Sequence, residues 1–206
     1  MDRESVYNFE PEPLLVVISG PSGVGKDTLV ERMEERGCPF YFVVTATDRP
    51  PRPEEVDGED YFFVSTEEFE RMEAENELLE SAVVYGQYKG VPKQQVREAM
   101  ASGHDVVMRL DVQGAATIRE IVPDAVLVFL TASSEAELEQ RLRDRGEDSL
   151  EQVERRIATA RKEMEELPRF DYVVVNRDCE LDHTVNDVLA IIRAEHCRVE
   201  QREVTL

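Results

Sequence analysis

One stretch of this chain has residue types and spacing that point directly to a chemistry: Gly20-Pro-Ser-Gly-Val-Gly25-Lys26. The apolar run Leu14–Ile18 before it reads as a fully buried strand, and a helical pattern starts directly after it. Strand, glycine loop, Lys and helix form the context in which G-x-x-x-x-G-K becomes a phosphate-binding loop. Backbone N–H groups of Ser22, Gly23, Val24 and Gly25 can curl around phosphate oxygens, and the new helix points its positive end at them. Lys26 adds a mobile cation. The Ser or Thr that usually follows the Lys is replaced by Asp27, with Thr28 one step late. The reading is nucleotide binding, in preference to an ordinary glycine-rich turn.

Three further clusters could carry chemistry. Arg49 and Arg52 lie on the proline-stiffened stretch TDRPPRPEE, with Tyr61 following. Two Arg there suit a bidentate grip on a second phosphate, although the same spacing also fits solvated arginines paired with Glu54 and Glu55. Arg141, Arg143, Arg145, Arg155 and Arg156 surround the break Arg145–Ser149, a composition that suits a lid closing over phosphates. For Arg143 and Arg155 a salt-bridged helical face is the preferred reading. Glu80 and Asp111 are candidate base readers: a carboxylate accepts both the ring N–H and the exocyclic NH₂ of guanine, whereas adenine presents an acceptor at that ring position. The competing account of Glu80 is an outward-facing residue on an edge strand.

The elements that must position these groups follow from periodicity. Helical spacing covers Asp27–Arg36, and Phe40–Ala46 is a β-rich run. Thr47–Gly58 is an extended loop. Asp60–Val64 returns to strand, and Ser65 with Glu68 makes a capping box for a helix over Thr66–Glu75. Two strands, Leu78–Tyr85 and Tyr88–Val91, are bridged by Gly86-Gln87, and Pro92–Ser102 is helical. Strand and helix then alternate: Asp105–Leu110, Val112–Ile121, Ala125–Thr131, Ser134–Arg143, Leu150–Glu166, Tyr172–Val175 and Leu181–Ala194. That rhythm implies a mostly parallel sheet covered on both faces, with ligands at the carboxyl edge of the strands, where the glycine loop, Asp111 and Thr131 fall. About 39–92 reads as a β-rich insertion.

At 206 residues the chain fits one domain with a small inserted unit. Its net charge of −21 excludes nucleic acid as a partner and makes local Arg clusters informative. There are 20 Arg but four Lys, and an acidic, Lys-poor surface suits a high-salt interior where self-repulsion is screened. No apolar run approaches the roughly 20 residues of a membrane span. An acidic, proline-containing start makes a cytoplasmic location the default. Cys38, Cys179 and Cys197 fit no metal pattern and are read as reduced, and His104, His183 and His196 as isolated surface or cap residues.

With these residues placed, the chain resembles the guanylate kinase family from about Leu14 to Ile192. The matching pieces are GPSGVGK, DRPPRPEEVDGEDYFFV, LLES, LDVQGA, RLRDRGEDS and FDYVVVN, in the family's order. The resemblance implies a P-loop three-layer α/β/α fold with a mostly parallel sheet, a small β-rich acceptor-binding insertion and a short helical lid. It implies a core over about 14–38, 93–140 and 168–195, an insertion over 39–92 and a lid over 141–167. The implied reaction is phosphoryl transfer from ATP, with Mg²⁺, to GMP, by a monomer or homodimer. Lys26 would bridge the ATP phosphates, and Arg49, Arg52 and Tyr61, supported by Glu55, would hold the phosphate of GMP. Thr45, Glu80 and Asp111 would read guanine. Arg141 and Arg156 would reach the transferring phosphate from the lid, and Arg145 would lie against adenine.

Five positions depart from the family's pattern, one of them Glu54 in place of a loop Gly. Lys89 replaces a Tyr and can bind phosphate as a point charge. Val91 replaces a hydroxyl donor to guanine, leaving Thr45 and costing about 1 kcal/mol. Arg109 replaces an Asp of the magnesium region, and Asp27 would take over part of that role through water. Facing each other across the phosphates, Asp27 and Arg109 would be a paired exchange of charge. Two other readings compete: a ribose 1,5-bisphosphate phosphokinase-like enzyme, and a guanylate-kinase-like interaction module without catalysis. Retention of Lys26, Arg141, Arg145 and Arg156 argues against the module.

Overall fold

The structure, a computed structural model, describes residues 11–53, 55–84, 86–144 and 150–206. In chain order the elements are β1 (Leu15–Ser19), α1 (Lys26–Glu35), β2 (Tyr41–Phe42), β3 (Thr45–Thr47), β4 (Tyr61–Phe63), α2 (Thr66–Ala74), β5 (Leu78–Val84), β6 (Gln87–Pro92) and α3 (Lys93–Ala101). They continue with β7 (Val106–Arg109), α4 (Val112–Ile121), β8 (Val126–Thr131), α5 (Glu135–Asp144), α6 (Leu150–Glu165), β9 (Tyr172–Val175) and α7 (Leu181–His196).

A five-stranded parallel sheet in the order β2-β7-β1-β8-β9 forms the middle layer. Alternate residues of β1 point to opposite faces, which gives the sheet two cores. Val16 and Ile18 pack with Leu29 and Met33 of α1, Leu142 of α5, Ile157 of α6 and Val188 of α7. Leu15 and Val17 pack with Val96 of α3 and with Ala115 and Ile118 of α4. Burial on both faces is why β1 is uniformly apolar. No helix among the described residues is long and apolar enough to cross a membrane.

The second sheet, β4-β3-β6-β5, is mixed and has its own small core of Ala46, Phe69 and Leu78. The run Phe40–Ala46 divides between the two sheets: β2 pairs with β7, and β3 pairs with β4 and β6. Gln95 of α3 spans the crossing by accepting from the Val44 N–H (3.0 Å) and donating to the Val44 carbonyl (2.7 Å). Ser65 caps α2 by accepting from the Glu68 N–H. The reciprocal arm of the expected capping box is replaced, because the Glu68 carboxylate turns to Arg71. Cys38, Cys179 and Cys197 are free thiols.

Candidate active site

A cleft of about 700 Å³ opens at the carboxyl edge of the parallel sheet, between that sheet and the mixed one. Its floor is the turn from β1 to α1. Gly25 caps α1 in the left-handed region (φ 93°) without a side-chain hydrogen bond, so the first-turn N–H groups are left for an anion. A β-carbon at Gly25 would come within 2.5 Å of Asn176 Nδ2. Lys26 Nζ donates to the carbonyls of Gly20 (2.5 Å) and Pro21 (3.0 Å). Burial lowers its pKa, and the charges of Asp27, Glu163 and Asp111 act against that.

The loop is held from below. Asn176, following β9, donates to the Val24 carbonyl at 2.8 Å and accepts from Thr184 at 3.1 Å. Arg141 of α5 donates to Val24 O (3.2 Å), Asn176 O (2.8 Å) and Asp178 (2.9 Å), and it pairs with Glu137. This places Arg141 as a brace of the glycine loop. Val24 takes part through its backbone, since its side chain belongs to the core beneath. Ser22, Gly23, Gly25, Asp27 and Thr28 line the cleft, whereas Thr131 does not and turns to Ala132 O and Met164.

Another wall of the cleft is built on the loop between β3 and β4. Arg49 grips Glu55 through Nη1–Oε2 (2.6 Å) and Nη2–Oε1 (2.5 Å), and the Arg52 N–H donates to Glu55 at 2.8 Å. Hydrogen bonding from Arg49 pulls the Glu55 pKa down to about 2. The Tyr61 ring is surrounded by cations: Arg49 at 4.8 Å, Arg109 at 5.3 Å and Lys89 at 5.6 Å from its centroid. Asp48 fixes the neighbouring strand by accepting from the Tyr88 N–H and the Thr66 hydroxyl.

Glu80 faces inward, although β5 is an edge strand, because α4 covers it. Its residue exposure is 5%, and Oε1 has no hydrogen-bond partner among the described residues. Burial, with the charge of Asp111 adding to it, raises its pKa to about 8. A β-carbon at Gly114 would stand 2.8 Å from Glu80 Oε1, so the glycine of LDVQGA makes room for this carboxylate. Asp111 caps α4 through the Gly114 N–H (2.8 Å), and Thr45 is buried at the cleft wall. Val91 lies in the core with Leu79 and Val96 and does not line the cleft, so its apolar side chain serves packing.

Arg156 of α6 reaches Ser22 Oγ at 3.4 Å, whereas Arg143 and Arg155 pair with Glu139 and Glu151 on exposed helical faces. Arg145 and Glu54 lie outside the described residues, as do Tyr85 and residues 1–10. Asp27 Oδ1 lies 3.2 Å from Arg109 Nη1, so the two exchanged charges do face each other. Among the described residues no group of three or more His, Cys, Asp or Glu could hold a metal ion. The carboxylates around Lys26 in the cleft are those of Asp27, Glu163 and Asp111, and oxygen donors of this kind suit magnesium carried by substrate phosphates.

Asn176, Gln113 and Glu163 also line the cleft, and sequence reasoning did not single them out. Asn176 stands in FDYVVVN and Gln113 in LDVQGA, so motif membership was their only signal. Glu163 of α6 enters the cleft near Lys26 with one buried, unpartnered oxygen. Burial raises its pKa against the pull of Lys26, and nothing in a charged helix sets it apart by sequence.

The guanylate kinase family model matches residues 12–195. Guanylate kinase 2, chloroplastic/mitochondrial, of Oryza sativa subsp. japonica is 51% identical over 197 residues, covering 95% of this chain and 69% of that protein. Guanylate kinase of Halalkalibacterium halodurans is 44% identical over 188 residues, covering 91% of each. The crystal structure of guanylate kinase from Anaplasma phagocytophilum superposes with a TM-score of 0.74 at 27% identity, covering 92% of this chain and 89% of that one.

Proposed function

The chain belongs to the guanylate kinase family, and we propose the residue roles by which its cleft transfers a phosphoryl group from ATP to GMP, giving ADP and GDP. The observation that carries the reading is Glu80: a buried carboxylate with an unpartnered oxygen, beside Asp111, at the end of a cleft whose other end is a phosphate-binding loop. A phosphorylated sugar offers no ring N–H for such a group.

The glycine loop and the first turn of α1 hold the ATP phosphates. Lys26 gives up its carbonyl partners to follow the phosphoryl group. Arg49, Arg52, Tyr61 and Lys89 take the GMP phosphate, with Glu55 fixing Arg49 in its rotamer. Glu80, once deprotonated, accepts from N1–H and N2–H₂ of guanine, and Asp111 and Thr45 complete the base edge. Arg156 brings a second cation onto the loop from α6, and the charge of Arg141 adds to the field while it braces Val24.

Nucleotide kinases use magnesium with ATP to offset the charge that spreads over the phosphoryl oxygens. Asp27 would reach such an ion through water. Everything else is positioning and fixed charge, which is what a loose transition state requires. The units proposed are a core carrying the loop, an acceptor-binding insertion over about 39–92 and a lid over about 141–167.

A coupled ADP-release assay with ATP against GMP, AMP, UMP and ribose 1,5-bisphosphate tests the reading. GMP is expected to be consumed with kcat/KM more than about 10³-fold above AMP and at least about 100-fold above UMP and the sugar phosphate. Consumption of the sugar phosphate without GMP would contradict it.

A further inference from the structure

Arg109 ends β7 at the junction of the two halves of the cleft, and its surroundings are unusual. Its guanidinium meets Asp27 at 3.2 Å, the Asp60 carbonyl at 3.4 Å and the face of Tyr61 at 5.3 Å. Its remaining N–H groups have no acceptor among the described residues. Lys89, on the same ring, has no carboxylate within 4.0 Å among the described residues. In a chain of net charge −21, three cations around one tyrosine repel one another, and among the described residues Arg49 alone of them has a bidentate carboxylate.

Asp27 is a weak keeper. Its side chain is 53% exposed, against 20% for Arg109, and a half-exposed single-contact pair is worth little. A phosphate presents three oxygens and up to two charges, and it matches the planar Arg fork in two-point contact.

We propose that Arg109 is a phosphate-binding residue of the acceptor site, held by Asp27 until the acceptor's phosphate takes it. The phosphate would sit against Arg109, Lys89 and Arg49 at the edge of Tyr61, so position 109 adds a cation to the grip on GMP. This rests on the guanylate kinase reading above. Asp27, one residue beyond Lys26, makes the donor loop the place from which Arg109 is released.

Calorimetric titration of the whole protein in EDTA tests this without metal or turnover, using GMP, guanosine and ATP as ligands. Arg109→Gln is expected to weaken GMP about 10- to 50-fold and leave guanosine unchanged. Asp27→Asn is expected to tighten GMP about 2- to 5-fold, and to lose that gain in the Arg109→Gln background. Arg109→Lys should recover part of the loss. Wild-type affinity for GMP in Arg109→Gln would overturn the proposal. So would equal weakening of GMP and guanosine, which marks a structural role, or weakening of ATP alone, which marks a donor contact. A wild-type protein that binds no GMP would instead overturn the reading on which the proposal rests.

Discussion

Arg49 and Glu55 form a two-point ion pair, 2.6 and 2.5 Å long, on a loop whose other side faces the cleft. Sequence left two accounts of Arg49 open, a phosphate ligand or an arginine paired with its neighbouring glutamate. The geometry makes them compatible. Glu55 fixes the guanidinium plane, and Arg49 still presents its face to Tyr61 and its charge to the cleft.

Breaking this pair should therefore have two separable effects. Glu55→Gln is expected to raise KM for GMP about tenfold with little change in KM for ATP, and to cost about 1–3 kcal/mol of stability at pH 7. Because Glu55 has a folded pKa of about 2, its contribution is present above the ordinary carboxylate value and is lost as pH falls from about 4.5 to about 2. Urea denaturation should show the wild-type advantage shrinking over that window, and an advantage independent of pH would contradict the assignment.

Glu80 predicts the opposite sign. Its pKa of about 8 means that the folded protein holds a proton which the unfolded chain has released above about 4.5. Its stability contribution is complete below that value and is lost as pH rises to about 8. Guanine needs the ionised form, so binding must expel the proton. Guanosine, which carries no titrating phosphate, is expected to bind up to about tenfold more tightly per pH unit between about 6 and 8, and to level off above. Titrations in buffers of different ionisation enthalpy should count close to one proton released at pH 7. None released would mean that guanine is not read by a carboxylate here.

The loop brace gives a third outcome. Asn176→Ala removes the amide that holds Val24 O at 2.8 Å, leaving that carbonyl to Arg141 at 3.2 Å and the Thr184 hydroxyl to Glu180 O at 3.4 Å. A stability loss of about 1–3 kcal/mol is expected, together with a rise in KM for ATP that exceeds any rise for GMP. An unchanged KM for ATP would separate the brace from nucleotide binding.

The surface charge gives a fourth. With a net charge of −21, the melting temperature is expected to rise between low and molar salt as self-repulsion is screened. A flat or falling curve would remove salt adaptation as an account of the composition.

Local pattern carried the elements well. α4 and β9 occupy the residues that periodicity assigned, 112–121 and 172–175, because each is set by its own stripe or alternation. Partner choice was not legible. Nothing within Phe40–Ala46 says that its first half joins β7 and its second half joins β6. Glu80 shows the same limit: on an edge strand its alternation predicts solvent, and only α4, some thirty residues later, buries it. Arg141 and Asn176 meet Val24 across more than a hundred residues, so the brace existed in the sequence only as two motifs. The exchange of charge at Asp27 and Arg109 was legible, since two opposite departures within one site suggest a pair.

The central claim is that Glu80 selects guanine, and the ratio of kcat/KM for GMP to that for AMP tests it in one number. The wild-type ratio is expected to exceed about 10³, because guanine gives the ionised carboxylate two donors, N1–H and N2–H₂, and adenine has neither at those positions. In Glu80→Gln the ratio should fall to about 10 or less, through loss of GMP turnover rather than gain with AMP. A ratio that survives the substitution would show that guanine is recognised elsewhere and would contradict the account.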